Sequence, residues 1–291
     1  MTDPTVRGAS VRRLLGSWRR HTVRRYKRFS QRLRLERAAH FGPLPSPARW
    51  VFLVGCYNSG TTLLHDLLAM HPLVGSMPDE GQFFTDQLPV PRDLGLRRLW
   101  ALKPELFRLD ENAGPHIKVK RLQRQWGAKF NDPTRPVLIE KTPTNAARTR
   151  WLQARFSPAS FVGIIRDGRA VAEGIRRKTG CDLESAARQW VRSNEIMLRD
   201  FEDLRHKRLV RYEHLTADPD GVVADLLAFL ELPPLTPELG AREWAIHEQR
   251  SVIVNMNSRS YEALSREEMH VIERQAGPLL RALGYTEAAS P

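Results

Sequence analysis

Short apolar runs alternate along most of this chain with segments whose apolar residues recur every three or four positions. Trp50-Val51-Phe52-Leu53-Val54, Val137-Leu138-Ile139, Phe161-Val162-Gly163-Ile164-Ile165 and Leu209-Val210-Arg211-Tyr212 read as buried strands. Helical spacing fills Thr61 to Met70, Asn145 to Phe156, Arg169 to Arg177, Leu183 to Leu204 and Val222 to Leu230. A last amphipathic stretch, Arg266 to Leu283, stops at Gly284, a residue suited to a helix C-terminal cap. Strands separated by helices predict an α/β fold, a parallel β-sheet flanked by helices on both faces.

The N-terminal segment follows another rule. Val11, Leu14, Leu15, Trp18, Tyr26, Phe29 and Leu33 fall on one helical face, with arginines filling the other. Two occupants suit such a face equally: an anionic membrane surface, or the protein's own body or a second subunit. Phe41 to Pro47 then breaks the helix as a Pro-rich linker. The division expected is a basic helical leader with its linker over residues 1–49 and a single domain over 50–291.

Charge sharpens that division. The chain has 291 residues with 46 Lys+Arg and 33 Asp+Glu, a net +13. Residues 1–50 hold 13 basic and 2 acidic side chains, a net +11, leaving +2 for the remainder. A nucleic-acid binder would carry its positive charge on the folded face that meets phosphate, so no nucleic-acid partner is expected. The two cysteines, Cys56 and Cys181, form no disulfide framework and match no zinc spacing, and no metal ligands are expected. No stretch reaches the 18 or so apolar residues of a membrane span. Arg12-Arg13 lacks the apolar stretch that an export signal requires after it, so a cytoplasmic location is expected, with residues 1–42 as a candidate contact for the inner face of the membrane.

The strongest chemical signal is Gly55-Cys56-Tyr57-Asn58-Ser59-Gly60-Thr61-Thr62, directly after the first strand and opening a helix. Its glycines let backbone wrap an anion, and the amides at the helix start, with the Ser59, Thr61 and Thr62 hydroxyls, can point at phosphate. Thr61 stands where a nucleotide-triphosphatase loop needs lysine. A second signal is Arg166, at the C-terminal end of a parallel strand, where such folds bind ligands. A surface ion pair with Asp167 is the plainer reading of that arginine.

Together the segments resemble the PAPS-dependent sulfotransferases, in the branch that includes tyrosylprotein, carbohydrate and bacterial enzymes. The likeness rests on Ser59-Gly60-Thr61-Thr62-Leu63-Leu64 with His71-Pro72, Glu140-Lys141-Thr142-Pro143, Arg166-Asp167-Gly168-Arg169-Ala170-Val171, Arg211-Tyr212-Glu213-His214-Leu215, and Leu279 to Tyr285. The resemblance implies a P-loop-like fold and transfer of a sulfuryl group from 3′-phosphoadenosine 5′-phosphosulfate (PAPS) to a hydroxyl or amine, without a metal. It implies that the Gly55 to Thr62 loop holds the 5′-phosphosulfate, Arg166 the 3′-phosphate with Lys178 as helper, and that Tyr212 lies near the adenine. Lys141 matches the lysine set against the sulfuryl group, and Glu80 the catalytic base, with Asp79, His65 and His116 as rivals.

Two positions depart from the family pattern. Asn58 replaces a cation before Ser-Gly-Thr-Thr, and Gly174 replaces a serine eight residues after Arg166. A substitute cation is then required, with Lys141 or Arg259 as candidates. The acceptor is not legible: a carbohydrate, a lipid-linked glycan, a tyrosine or a small hydroxyl compound all remain open. A P-loop small-molecule kinase and a non-catalytic membrane adaptor are the rival functions.

Overall fold

The computed structural model describes residues 30–235, 239–240, 242–246 and 249–285. Most of the leader helix, with Val11 through Phe29, therefore lies outside the described residues. Its described end is a helix, α1, over residues 30–41, followed by a bend at Gly42 and irregular chain to residue 47. The strand β1 (Arg49–Gly55) leads into α2 (Thr61–Ala69), then β2 (Val74–Ser76), α3 (Val119–Gly127) and β3 (Val137–Lys141). Next come α4 (Thr149–Arg155), β4 (Ala159–Ile165), α5 (Gly168–Thr179), α6 (Leu183–Glu202), β5 (Lys207–Arg211), α7 (Tyr212–Ala217) and α8 (Pro219–Phe229). A small antiparallel pair, β6 (Trp244–Ile246) and β7 (Gln249–Ser251), precedes α9 (Asn257–Glu262) and α10 (Arg266–Ala282).

The main sheet has the order β2-β3-β1-β4-β5, and every neighbouring pair is parallel. Side chains alternate across it, so β1 feeds two cores. Trp50, Phe52 and Val54 face an aromatic-rich core with Trp126, Phe156, Phe161 and Trp190. Val51 and Leu53 face an aliphatic core built with Leu64, Leu67 and Leu68 of α2 and Leu226 and Leu227 of α8. Phe52, Phe156 and Phe161 are at most 1% exposed, and burying each contributes about 1.5–3 kcal/mol of transfer energy. Because β1 has β3 on one side and β4 on the other, the crossovers diverge at its C-terminal end. That crevice is where an open parallel sheet receives a ligand.

Several sequence expectations shift. The segment Asn145 to Phe156 is not one helix: a 3-10 turn over Pro143–Ala147 is separated from α4 by Arg148, whose φ of −147° lies outside helix. Tyr212 does not end a strand but opens α7, after β5 has stopped at Arg211. The chain from α1 to the linker is packed on α3 rather than hanging free. Arg121 holds Glu36 at 2.7 Å, Arg124 donates to the Gly42 carbonyl at 2.9 Å, and Gln125 donates to the Leu35 carbonyl. Gly127 supplies the space for this, since a Cβ there would come within 2.2 Å of the Pro43 carbonyl oxygen. No helix among the described residues is long and apolar enough to cross a membrane.

Candidate active site

At the C-terminal end of β1 the chain turns through Asn58 and Gly60, both left-handed, with φ of 67° and 95°. Asparagine and glycine are residues that enter this region at low cost. Gly60 has a second constraint, because a Cβ would come within 2.6 Å of the Tyr212 ring. Gly60 is also the N-cap of α2 and brings no side chain to cap it, so the first amides of α2 stay available to an anion. The start of α5 differs: Asp167 caps it by accepting from the Arg169 amide at 2.8 Å. Of these two helix starts on the main sheet, only α2's is open.

Around this turn lies a cleft of about 590 Å³. Asn58, Gly60, Thr61, Thr62, Arg166, Gly174, Lys178, Tyr212, Arg259 and Glu80 line it, so ten of the twelve residues singled out from the sequence meet in one space. Ser59 is fully buried behind the turn. Lys141 is buried at the end of β3, where its charge opposes protonation of Glu80. Two donors in the cradle, Asn58 Nδ2 and Ser59 Oγ, are buried without a partner among the described residues. Buried polar groups are almost always paired, so an anion-binding turn with unmatched donors fits the phosphate-rich donor implied by the sequence.

Arg166 is set firmly. Its Nε donates to Asn257 Oδ1 at 2.7 Å, its Nη1 donates to the Asn58 carbonyl at 3.0 Å, and its guanidinium lies 4.2 Å from the centre of the Tyr212 ring. The ion pair with Asp167 does not form. Asp167 binds Arg169 instead, at 2.8 Å between two nearly inaccessible side chains, which leaves the charge of Arg166 for a ligand. The other two sequence segments brace this corner. Glu213 accepts from Asn257 Nδ2, from the Asp167 amide and from the Tyr285 hydroxyl, joining Arg211 to Leu215 with the chain end. Lys178, on the last turn of α5, is pulled down to about 8 by burial and by the charges of Arg98, Arg177 and Arg166.

Opposite these cations sits Glu80. Burial raises its carboxyl above the usual range, against the pull of Lys141. Tyr57 and Gln82 both donate to its Oε2, at 3.3 and 2.5 Å. Of the rival bases, Asp79 accepts from the Glu80 amide at 2.7 Å, His65 is buried against Asp66 at 2.8 Å, and His116 is exposed away from the cleft. Only Glu80 of the four lines it.

Three contributors were not read from the sequence. Glu140, fully buried on β3, accepts from the Gly81 amide at 2.9 Å and from Thr142 and Asn145, and so fixes the turn that carries Glu80. Burial raises it to about 7. A carboxylate inside an apolar strand was the signal for it. Tyr57 stands in the glycine-rich turn, where its hydroxyl donates to Glu80, a role that its place in the motif does not signal. Arg98, from the loop after β2, donates to Asn58 Oδ1 at 3.0 Å, and nothing in Leu96-Arg97-Arg98-Leu99 marks it as special.

A glycine-rich turn at the centre of a parallel sheet, an open helix start and a strand-end arginine define an anion-binding α/β protein of the nucleotide-binding kind. The profile of the sulfotransferase family matches residues 50–237. The chain belongs to that family. It is 28% identical over 271 residues to a protein-tyrosine sulfotransferase of Drosophila melanogaster, covering 83% of this chain and 52% of that protein. It is 32% identical over 197 residues to protein-tyrosine sulfotransferase 1 of Danio rerio, covering 63% of this chain and 53% of the relative. The chain thus spans about half the length of these curated relatives. Among solved structures, a sulfotransferase domain from the curacin biosynthetic pathway superposes with a TM-score of 0.51 at 19% identity, covering 83% of this chain and 99% of that domain. A Mycobacterium avium sulfotransferase gives 0.51 at 13% identity, covering 84% and 78%. These two likenesses concern the fold.

Proposed function

We propose that the chain transfers a sulfuryl group from PAPS to an acceptor hydroxyl, and that the phenol of a protein tyrosine is the first acceptor to test, since that is what the curated relatives' names specify. The observation that carries the reading is a raised carboxyl, Glu80, in the same cleft as an uncapped helix start and a carboxylate-free arginine. When bound, the donor supplies an activated sulfuryl group whose departure, by analogy with phosphoryl transfer, leaves charge on the 5′-phosphate oxygens.

The residues divide the work. The Asn58 to Thr62 turn, with its unmatched Nδ2 and Oγ donors, would hold the 5′ end, and Arg166 with Lys178 and Arg259 the 3′-phosphate. Tyr212, wedged against Gly60 and fixed by the Met256 amide at 3.1 Å, would line the nucleoside. Glu80 Oε2 takes the acceptor proton, and its raised pKa makes it a better base than a solvated glutamate. Lys141 favours the ionised form of Glu80, and its positive charge would stabilise charge developing on the transferring group.

Calorimetric titration with 3′-phosphoadenosine 5′-phosphate, beside ATP and GTP, tests the donor. Tight bisphosphate binding with weak ATP binding is expected; tight ATP binding with none for the bisphosphate overturns the reading and favours a kinase. For the leader we propose an anionic membrane surface, because residues 1–29 carry 9 basic side chains against 1 acidic one.

A further inference from the structure

The eight residues of the phosphate turn, Gly55 to Thr62, contain no lysine or arginine. Neutral donors alone recognise an anion weakly compared with a charged one. Two cations of the cleft touch the turn: Arg166 at the Asn58 backbone carbonyl, and Arg98 at the Asn58 side chain. Arg98 donates from Nη1 to Asn58 Oδ1 at 3.0 Å, and its guanidinium lies 5.3 Å from the centre of the Tyr57 ring. Both contacts are to neutral groups, and among the described residues Arg98 has no carboxylate in salt-bridge contact.

Its backbone is as unusual as its partners. Arg98 has a φ of 61°, a left-handed conformation that a long side chain holds only when its neighbours impose it. The neighbours do so: Trp100 is completely buried, and the Ala101 amide donates to Gln189 Oε1 of α6 at 2.8 Å. Desolvation lowers the Arg98 pKa, and the nearby Glu80 offsets part of that cost. A half-buried guanidinium, held by its backbone in a cleft with no carboxylate against it, is poised for an anion that comes from outside the chain.

Asn58 explains how it is aimed. The side-chain oxygen is occupied by Arg98, which turns Nδ2 the other way, where it is buried and unpartnered. Gly174 makes this fit, since a Cβ there would already stand 3.2 Å from Nδ2. Two of the residues that depart from the family pattern therefore form one unit with Arg98. We propose that Arg98 is an anion-binding residue that supplies the positive charge for the donor's 5′-phosphosulfate group, working beside Asn58, whereas Arg166 serves the other phosphate. The placement follows from Tyr57, whose ring lies 5.3 Å from the Arg98 guanidinium and whose hydroxyl donates at 3.3 Å to Glu80, the proposed base at the transferring end of the cleft.

This inference rests on the donor reading above, and one experiment separates the two. Calorimetry would compare 3′-phosphoadenosine 5′-phosphate with adenosine 3′-phosphate, which lacks the 5′ group, on wild type, Arg98→Gln and Arg98→Lys. Arg98→Gln is expected to weaken the bisphosphate about 10- to 100-fold and adenosine 3′-phosphate less than twofold. Arg98→Lys, which keeps the charge, is expected to retain most of the preference for the bisphosphate. The ratio of the two affinities does not depend on how much of the sample is folded. No loss for either ligand, or equal loss for both, overturns the assignment of Arg98 while the donor reading stands. A wild-type chain that binds neither ligand overturns the donor reading and this inference with it.

Discussion

The Nη1 of Arg166 donates to the backbone carbonyl of Asn58 at 3.0 Å, tying the end of one strand to the phosphate turn of another across 108 positions of sequence. The two recognition elements are therefore one rigid corner, completed by Asn257 on the Nε side and the Tyr212 ring below. Lysine cannot reproduce it, since a point charge makes no planar fork and stacks poorly on an aromatic ring. Arg166→Lys is expected to weaken 3′-phosphoadenosine 5′-phosphate at least tenfold by calorimetry, with a loss also for adenosine 3′-phosphate. A variant that binds both ligands like wild type would show that the corner is structural only.

Glu80 gives the clearest kinetic expectation. Removal of a general base costs about 10²- to 10⁴-fold. Glu80→Gln is expected to lose turnover on that scale while its bisphosphate affinity stays within about twofold, because glutamine preserves the shape of the group and the Tyr57 contact. Normal turnover in this variant places the base elsewhere.

The pH dependence of turnover follows from the same carboxyl. Its pKa is raised by burial, and it must be ionised to accept a proton, so activity should rise with pH through a midpoint above the usual glutamate value of about 4.3. Lys141→Met removes the cation that opposes this shift, and the acidic limb should then move further up. An unmoved limb in Lys141→Met would separate the lysine from the base.

Glu140 bears on stability. Its carboxyl is raised from 4.5 to about 7 in the folded protein, so the folded state holds the proton more tightly than the unfolded chain and ionisation costs stability. That stabilisation is complete below pH 4.5 or so and disappears as pH climbs through about 7, with a slope of up to about 1.4 kcal/mol per pH unit. Chemical denaturation across this window should show the decline, and Glu140→Gln should flatten it. The same variant weakens the hold on the Gly81 amide and should lower turnover through misplacement of Glu80, with nucleotide affinity kept.

The leader is testable by a cut that respects the packing of α1 on α3. Removing residues 1–29 leaves Glu36 with Arg121 and Gly42 with Arg124. The shortened chain should stop sedimenting with anionic vesicles and bind the bisphosphate as before. Retained sedimentation would assign membrane contact to the body.

Much of the site was legible because it is local. A glycine-rich turn after a buried strand, an arginine at the end of another, and a family-like Glu-Lys-Thr-Pro each carry their meaning within a few residues. Glu80 was also reachable, by its place in the family order. The fate of the arginines was not. Whether Arg166 pairs with Asp167 next to it depended on Arg169 competing for that carboxylate, and the competition is settled by how α5 packs on α10, where Glu273 takes the Nε of Arg169 at 2.5 Å.

The sequence by itself determined the alternation of strands and helices, the phosphate turn and the separation of a basic leader from a nearly neutral body, because these follow from periodicity, local backbone preference and charge counting. Only the tertiary structure decided which cation meets the Asn58 side chain. Arg98 is 40 positions from Asn58, in a loop without a motif, and it is brought there by burial of Trp100 and by the anchor of Ala101 on α6. Electrostatic partnership over such a distance depends on a few ångströms of packing, and no pattern along the chain encodes it.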